Sequence, residues 1–120
     1  MFRRVILRLV CGLGALALMA CGAQHHLPTD ADVLAAEELR PASHTLAAKY
    51  ERSCLACHGV RSTAPLTGFG PHWAPRMAQG MPTLLKHTRE GLRGMPAMGL
   101  CTDCSDDELR ALITFMSTPR

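Results

Sequence analysis

Cys54, Cys57 and His58 stand together in "SCLACHG", and a second pair, Cys101 and Cys104, repeats the two-residue gap in "CTDC". A thiol pair at that spacing followed by an imidazole is open to three chemistries. Four thiolates could hold a structural zinc ion, although the interval of more than forty residues between the pairs is long for a zinc ribbon. One pair could cycle as a thioredoxin-like dithiol, which requires a βαβ setting. The third chemistry needs His58. Cys-x-x-Cys-His is the attachment sequence of a c-type haem, because two thiols can add across two vinyl groups while the next residue lies under the iron and supplies an imidazole.

The elements around these residues decide among the three. From Ser43 to Ser53 the pattern is helical, with Leu46, Tyr50 and Cys54 on one face, so a helix delivers the first motif at its end. Residues 59 to 82 contain Gly59, Pro65, Gly68, Gly70, Pro71, Pro75, Gly80 and Pro82 and read as a loop. Pro82 suits the first turn of a short helix that Gly91 ends, and "GLRGMPAMGLC" returns to irregular chain. In "SDDELRALITFMS", Ser105 and Glu108 predict a capping box, and Leu109, Leu112, Ile113 and Met116 form an apolar stripe that Pro119 closes off. No stretch alternates as a strand does. The expected class is therefore all-α, with three to four helices and long loops, which removes the setting a thioredoxin-like dithiol needs. About 80 residues with few aromatics and a Gly/Pro-rich middle make a marginal core, and small domains of this kind add disulfides, metals or cofactors. A haem is a large apolar plate, and it would supply the missing volume.

The start of the chain bears on the same choice. Arg3, Arg4 and Arg8 precede an uncharged apolar run from Leu9 to Ala20, the layout of a secretory signal and too short to span a bilayer comfortably. The stretch "LMAC" resembles the bacterial lipobox, which implies a signal over residues 1–20, a lipid on Cys21 and a protein tethered to a membrane surface on the periplasmic side; without the lipid it would be soluble in the periplasm. Residues 21–42 read as a flexible tether with at most a helical turn or two, and residues 43–120 as the folded domain. Without the three leader arginines, Lys/Arg and Asp/Glu balance at ten each, and no basic stripe with interleaved aromatics suggests nucleic-acid binding.

With these residues in view, the chain resembles the class I c-type cytochromes, and most closely the bacterial cytochrome c5 group: "SCLACHG", "WAPRMAQG", "GMPAMG" and "CTDCSDDEL" occur in that order over about residues 45 to 117. The resemblance implies one haem c bound covalently through Cys54 and Cys57, with His58 as one iron ligand and Met95 as the other. Met98, three residues on, is its rival, ahead of His87 and His72. It further implies a disulfide between Cys101 and Cys104, a Pro65 carbonyl that orients His58, and Trp73 and Arg76 near the haem propionates, donating an indole N–H and a guanidinium. Tyr50 and Phe115 would join the first and last helices, and His44, His72 and His87 would lie on the surface. The implied function is one-electron carriage, without enzymatic activity, by a monomer between a redox donor and an acceptor such as an oxidase or a membrane reductase complex. A haem sensor or peroxidase-like enzyme with a displaceable sixth ligand is the alternative, and a structural zinc protein the alternative of another class.

Overall fold

A computed structural model describes residues 26–120, so the apolar leader, its arginines and the cysteine at position 21 lie outside the described residues. The first helix, α1 (Asp30–Glu38), was expected to be no more than a turn or two of tether. It forms because Thr29 caps it: the Thr29 side chain accepts from the Asp32 N–H while the Asp32 carboxylate takes the Thr29 N–H, a capping box with aspartate in place of glutamate. Ala36 on this helix is 1% exposed. Asp32, Ala35, Ala36 and Leu39 lie around Thr67, Phe69 and Arg120, and Arg61 holds the helix start through Asp30 at 2.7 Å and the Pro28 carbonyl at 3.1 Å. The tether reading thus gives way, from Thr29 on, to a segment docked on the domain.

Ser43 caps α2 (His44–Ser53), which brings Tyr50 into the core and runs almost directly into the single turn α3 (Leu55–His58). The Gly/Pro-rich stretch read as loop contains a further helix, α4 (Gly70–Met77). Pro71 falls in its first turn, where an N–H has no intrahelical partner to lose, and Pro75 removes one bond from a helix that Trp73 fastens by burial. Next come α5 (Met81–Glu90) and an irregular turn over Ala97–Leu100, in which Met98, Gly99 and Leu100 take left-handed backbone. The chain closes with α6 (Asp106–Ser117), where Ser105 and Glu108 form the capping box read from sequence and all four stripe residues are buried.

Six α-helices among the described residues exceed the expected count, the additions being α1, α3 and α4. Strand pairing is confined, among those residues, to one isolated bridge between Leu92 and Met95. The main core joins Tyr50, Trp73, Leu85, Leu109, Leu112 and Met116 with the cysteine pair Cys101 and Cys104. Tyr50 meets Phe115 edge-on at 5.1 Å, which fixes α2 against α6. At the other end of that contact the largely covered Lys49 ammonium bonds both Glu108 oxygens at 2.7 Å and the Asp103 carbonyl at 3.1 Å.

Candidate functional site

The single turn α3 places Cys54, Cys57 and His58 in one helical step, with the Cys57 and His58 N–H groups both donating to the Cys54 carbonyl. Residues three and four apart on a helix face the same way, so the turn aims its thiols to one side. Cys54 packs partly against the core and Cys57 is exposed; neither sulfur is bonded to another cysteine. Burial, with Cys57 next to it, pushes the Cys54 thiol up to about 11, so it stands as a neutral thiol at ordinary pH. The other two cysteines are joined: Cys101 and Cys104 form a disulfide with S–S 1.99 Å, just ahead of α6. A four-thiolate zinc site therefore lacks two of its ligands.

His58 is 7% exposed. Its Nδ1 donates to the Pro65 carbonyl at 2.8 Å, which leaves the hydrogen-free Nε2 as the ring's remaining polar atom. Burial holds the imidazole below its usual value, with Arg76 adding to the effect and the Pro65 bond opposing it, so the ring is neutral and its Nε2 lone pair is available. The Trp73 ring stacks near it, 6.1 Å between centroids at 29°.

The loop that supplies the Pro65 carbonyl is tied on every side. Thr67 donates its N–H to the His58 carbonyl at 2.8 Å, and its hydroxyl meets Tyr50 Oη at 2.9 Å in the interior. Leu66 donates its N–H to His72 Nδ1 at 3.1 Å and accepts from Trp73 Nε1 at 2.8 Å. That last bond commits the Trp73 indole N–H to a buried backbone carbonyl, so in this structure the residue braces the His58 loop. Arg76 gives one guanidinium nitrogen to the His72 carbonyl and is otherwise without a side-chain hydrogen bond among the described residues. His72, expected on the surface, is half-buried against this loop, while Phe69 packs edge-on to it at 4.8 Å. Neither His72 nor Thr67 announces itself in sequence, because each acts on backbone groups that only the fold brings within reach.

Met95 lies in a tight loop after α5. Gly91 ends that helix at φ 84°, where a Cβ would come within 2.9 Å of the Met95 carbonyl, so only glycine allows the loop to fold back so closely. Leu92 and Met95 exchange two backbone bonds of 3.0 Å, and the Met95 methyl lies over Gly99, 3.1 Å from where a Cβ would stand. Met98 points elsewhere: it packs on the core and lines a groove with Leu85 and Pro82 between α5 and α6. Of the rival pair, Met95 is the one whose sulfur the core does not claim.

A covalently bound haem asks for two unbonded thiols at the attachment spacing and a neutral imidazole whose Nδ1–H is already placed. Cys54, Cys57 and His58 meet each requirement.

Comparison with known proteins agrees with this site. The family model described as "Cytochrome C oxidase, cbb3-type, subunit III" matches residues 41–116. The chain is similar to cytochrome c5 of Azotobacter vinelandii, 45% identical over 73 residues, 58% of this chain and 84% of that one. Cytochrome c5 of Ectopseudomonas mendocina is 41% identical over 69 residues, 55% of this chain and 79% of that one. Cytochrome c-555 of Chlorobaculum tepidum is 36% identical over 74 residues, 58% and 68% of the two chains. Among solved structures, a chain in the crystal structure of an electron transfer complex of nitrite reductase with cytochrome c superposes with a TM-score of 0.54 and 34% identity, covering 67% of this chain and 95% of that one. The chain belongs to the class I c-type cytochromes, close to the bacterial cytochrome c5 family. That family implies covalently bound haem c.

Proposed function

We propose that this chain is an exported monohaem cytochrome that carries single electrons between redox proteins at a membrane surface. Cys54 and Cys57 would hold the haem by thioether bonds, and His58 and Met95 would ligate its iron. The group supplies, when bound, a ferric–ferrous couple whose potential methionine ligation raises compared with two histidines. The protein's residues do the rest. Pro65 fixes the His58 ring and keeps Nε2 free, Trp73 and Tyr50 keep Pro65 still, and Gly91 folds the Met95 loop back toward the body of the domain. The observation that carries the reading is the buried, neutral His58 with its Nδ1–H bonded to Pro65, next to two unbonded thiols.

The near-balance of charge after residue 20 predicts weak long-range steering toward partners, and redox encounters of this kind are small and short-lived. The relation to a cytochrome held in a complex with nitrite reductase supports a redox protein as the docking partner of this one. A lipid on Cys21 would raise the local concentration of membrane partners, and in its absence the carrier would be free in the periplasm. The carrier is proposed to act as a monomer.

The deciding experiment is an absorption spectrum, oxidised and reduced, of protein expressed with c-type haem maturation, followed by denaturation to see whether the haem stays attached. A covalent haem with a sharp low-spin reduced spectrum and no carbon monoxide binding is the expected result. Carbon monoxide binding by the reduced protein points to a displaceable sixth ligand, and a colourless protein ends the proposal.

A further inference from the structure

One peptide group joins two histidines. The carbonyl of Pro65 accepts from His58 Nδ1, and the N–H of the same peptide, on Leu66, donates to Nδ1 of His72. Each bond fixes a tautomer. A carbonyl can only accept, so His58 Nδ1 carries a hydrogen; a backbone N–H can only donate, so His72 Nδ1 carries none. Hydrogen bonds in series polarise one another. Neutral His72 draws on the Leu66 N–H, makes the Pro65 oxygen more negative and so tightens its hold on the His58 Nδ1–H. A stronger acceptor behind a ligating imidazole raises its basicity, which favours ferric iron. Protonated His72 cannot accept the Leu66 N–H and adds a positive charge to the neighbourhood, and both changes favour ferrous iron.

We propose that His72 is a positioning residue that tunes His58 through the Pro65–Leu66 peptide and thereby links proton uptake to electron uptake. On uptake of one electron from a redox donor by the bound haem, His72 Nδ1 would gain part of a proton from solvent; on loss of that electron to an acceptor, that proton would return to solvent. His72 is half-buried on α4, so water reaches it. Arg76, one turn further on, is the charged side chain that acts on its ring, and the uncharged ring of Phe69 packs against it from the preceding loop. Burial and Arg76 both hold its titration below 6.5. Trp73 anchors the next carbonyl, so the loop stays in place while the His72 bond is made or broken.

The inference rests on the haem reading above, and its test is run on haem-loaded protein. The midpoint potential is measured by spectroelectrochemistry from about pH 4 to pH 8 for wild type, His72→Asn and His72→Leu. Asparagine offers a non-titrating acceptor near the Nδ1 position, and leucine offers none. The wild-type potential should rise as the pH falls through the window below 6.5. His72→Asn should lose that slope and stay near the wild-type value at high pH, and His72→Leu should lose it and sit between the high-pH and low-pH values, because it removes the acceptor without adding the charge. Any slope common to all three belongs to the haem carboxylates. Should the variants not fold, NMR titration of the wild type decides: His72 should titrate at higher pH in the reduced than in the oxidised protein, with the Leu66 amide following it. Equal pH slopes in all three proteins, or equal His72 titration in both redox states, would overturn the inference while leaving the haem reading intact; absence of covalent haem from the wild type would remove that reading itself.

Discussion

The segment Pro65–Thr67 has its polar atoms tied to α2, α3 and α4, whereas the backbone hydrogen bonds of Leu92–Leu100 close largely within the loop. The first gives and takes bonds with Tyr50, His58, His72 and Trp73. The second relies on short local bonds, Leu92 with Met95 and Gly99 with Pro96, and places Arg93, Met98 and Leu100 in left-handed backbone that costs a residue with a Cβ about 1–2 kcal/mol. Its one covalent fastening among the described residues is the neighbouring Cys101–Cys104 disulfide, which Arg52 and Lys49 reach through Asp103. This protein thus holds the two proposed iron ligands unequally: the histidine side is preorganised by long-range bonds, and the methionine side is held by a turn and a staple.

The largest expected effect comes from breaking the rigid side at its centre. His58→Ala should abolish covalently loaded protein, read as haem staining on a denaturing gel after expression with haem maturation; normal loading would show that α3 does not organise attachment. On the other side, Met95→Ala should keep the haem attached but remove the weak red charge-transfer band of methionine–iron ligation, and Met98→Ala should retain it. The reverse pattern would move the ligand to Met98 and undo the contrast drawn between their side chains.

Stability separates the two segments by sign. Trp73→Phe leaves the buried Leu66 carbonyl without its donor and should cost about 1–3 kcal/mol, and Tyr50→Phe, which leaves the Thr67 hydroxyl unpartnered, about 1 kcal/mol in urea unfolding. Leu100→Gly should instead stabilise by about 1 kcal/mol, because glycine adopts its left-handed backbone without penalty. Destabilisation there would mean that the loop is less strained than its backbone angles indicate.

The smallest effect concerns Glu108. The bond from Lys49, aided by the Ser105 N–H, holds its carboxyl below 4.5, so the folded state favours the charged form. Stability from this group is present above pH 4.5 and lost as the pH falls through the lowered folded value. Glu108→Gln should flatten that acid-side loss in urea midpoints; an unchanged slope would assign it to other carboxylates.

The readable parts of this molecule are those whose cause is local. Ser105 and Glu108 stand three apart and the α6 stripe repeats at helical spacing, so both their cap and their burial follow from sequence. The attachment motif is local too, because one turn of helix contains it. What was hidden depends on distant partners or on weak signals. Thr29 and Asp32 make a capping box with a shorter acid than the usual one, and the helix after it is held by Arg61, which lies 31 residues away from Asp30. The prolines of α4 read as breakers, yet one falls where a helix tolerates it and the buried Trp73 outweighs the other. His72 and Thr67 gain their roles from backbone atoms, which leave no mark in residue type.

The docking of α1 bears on how far the domain could travel if Cys21 carries the proposed lipid. An anchor at Cys21 followed by a free segment up to residue 42 would let the domain roam about 75 Å from the bilayer when fully extended. With α1 part of the body from Thr29 on, a lipid on Cys21 would leave only seven residues, 22 to 28, between anchor and domain, a leash of about 25 Å at most. The domain would then sweep a thin layer over the lipid with its α1 and Arg61 side turned toward it, so partners would have to present their docking sites close to the bilayer.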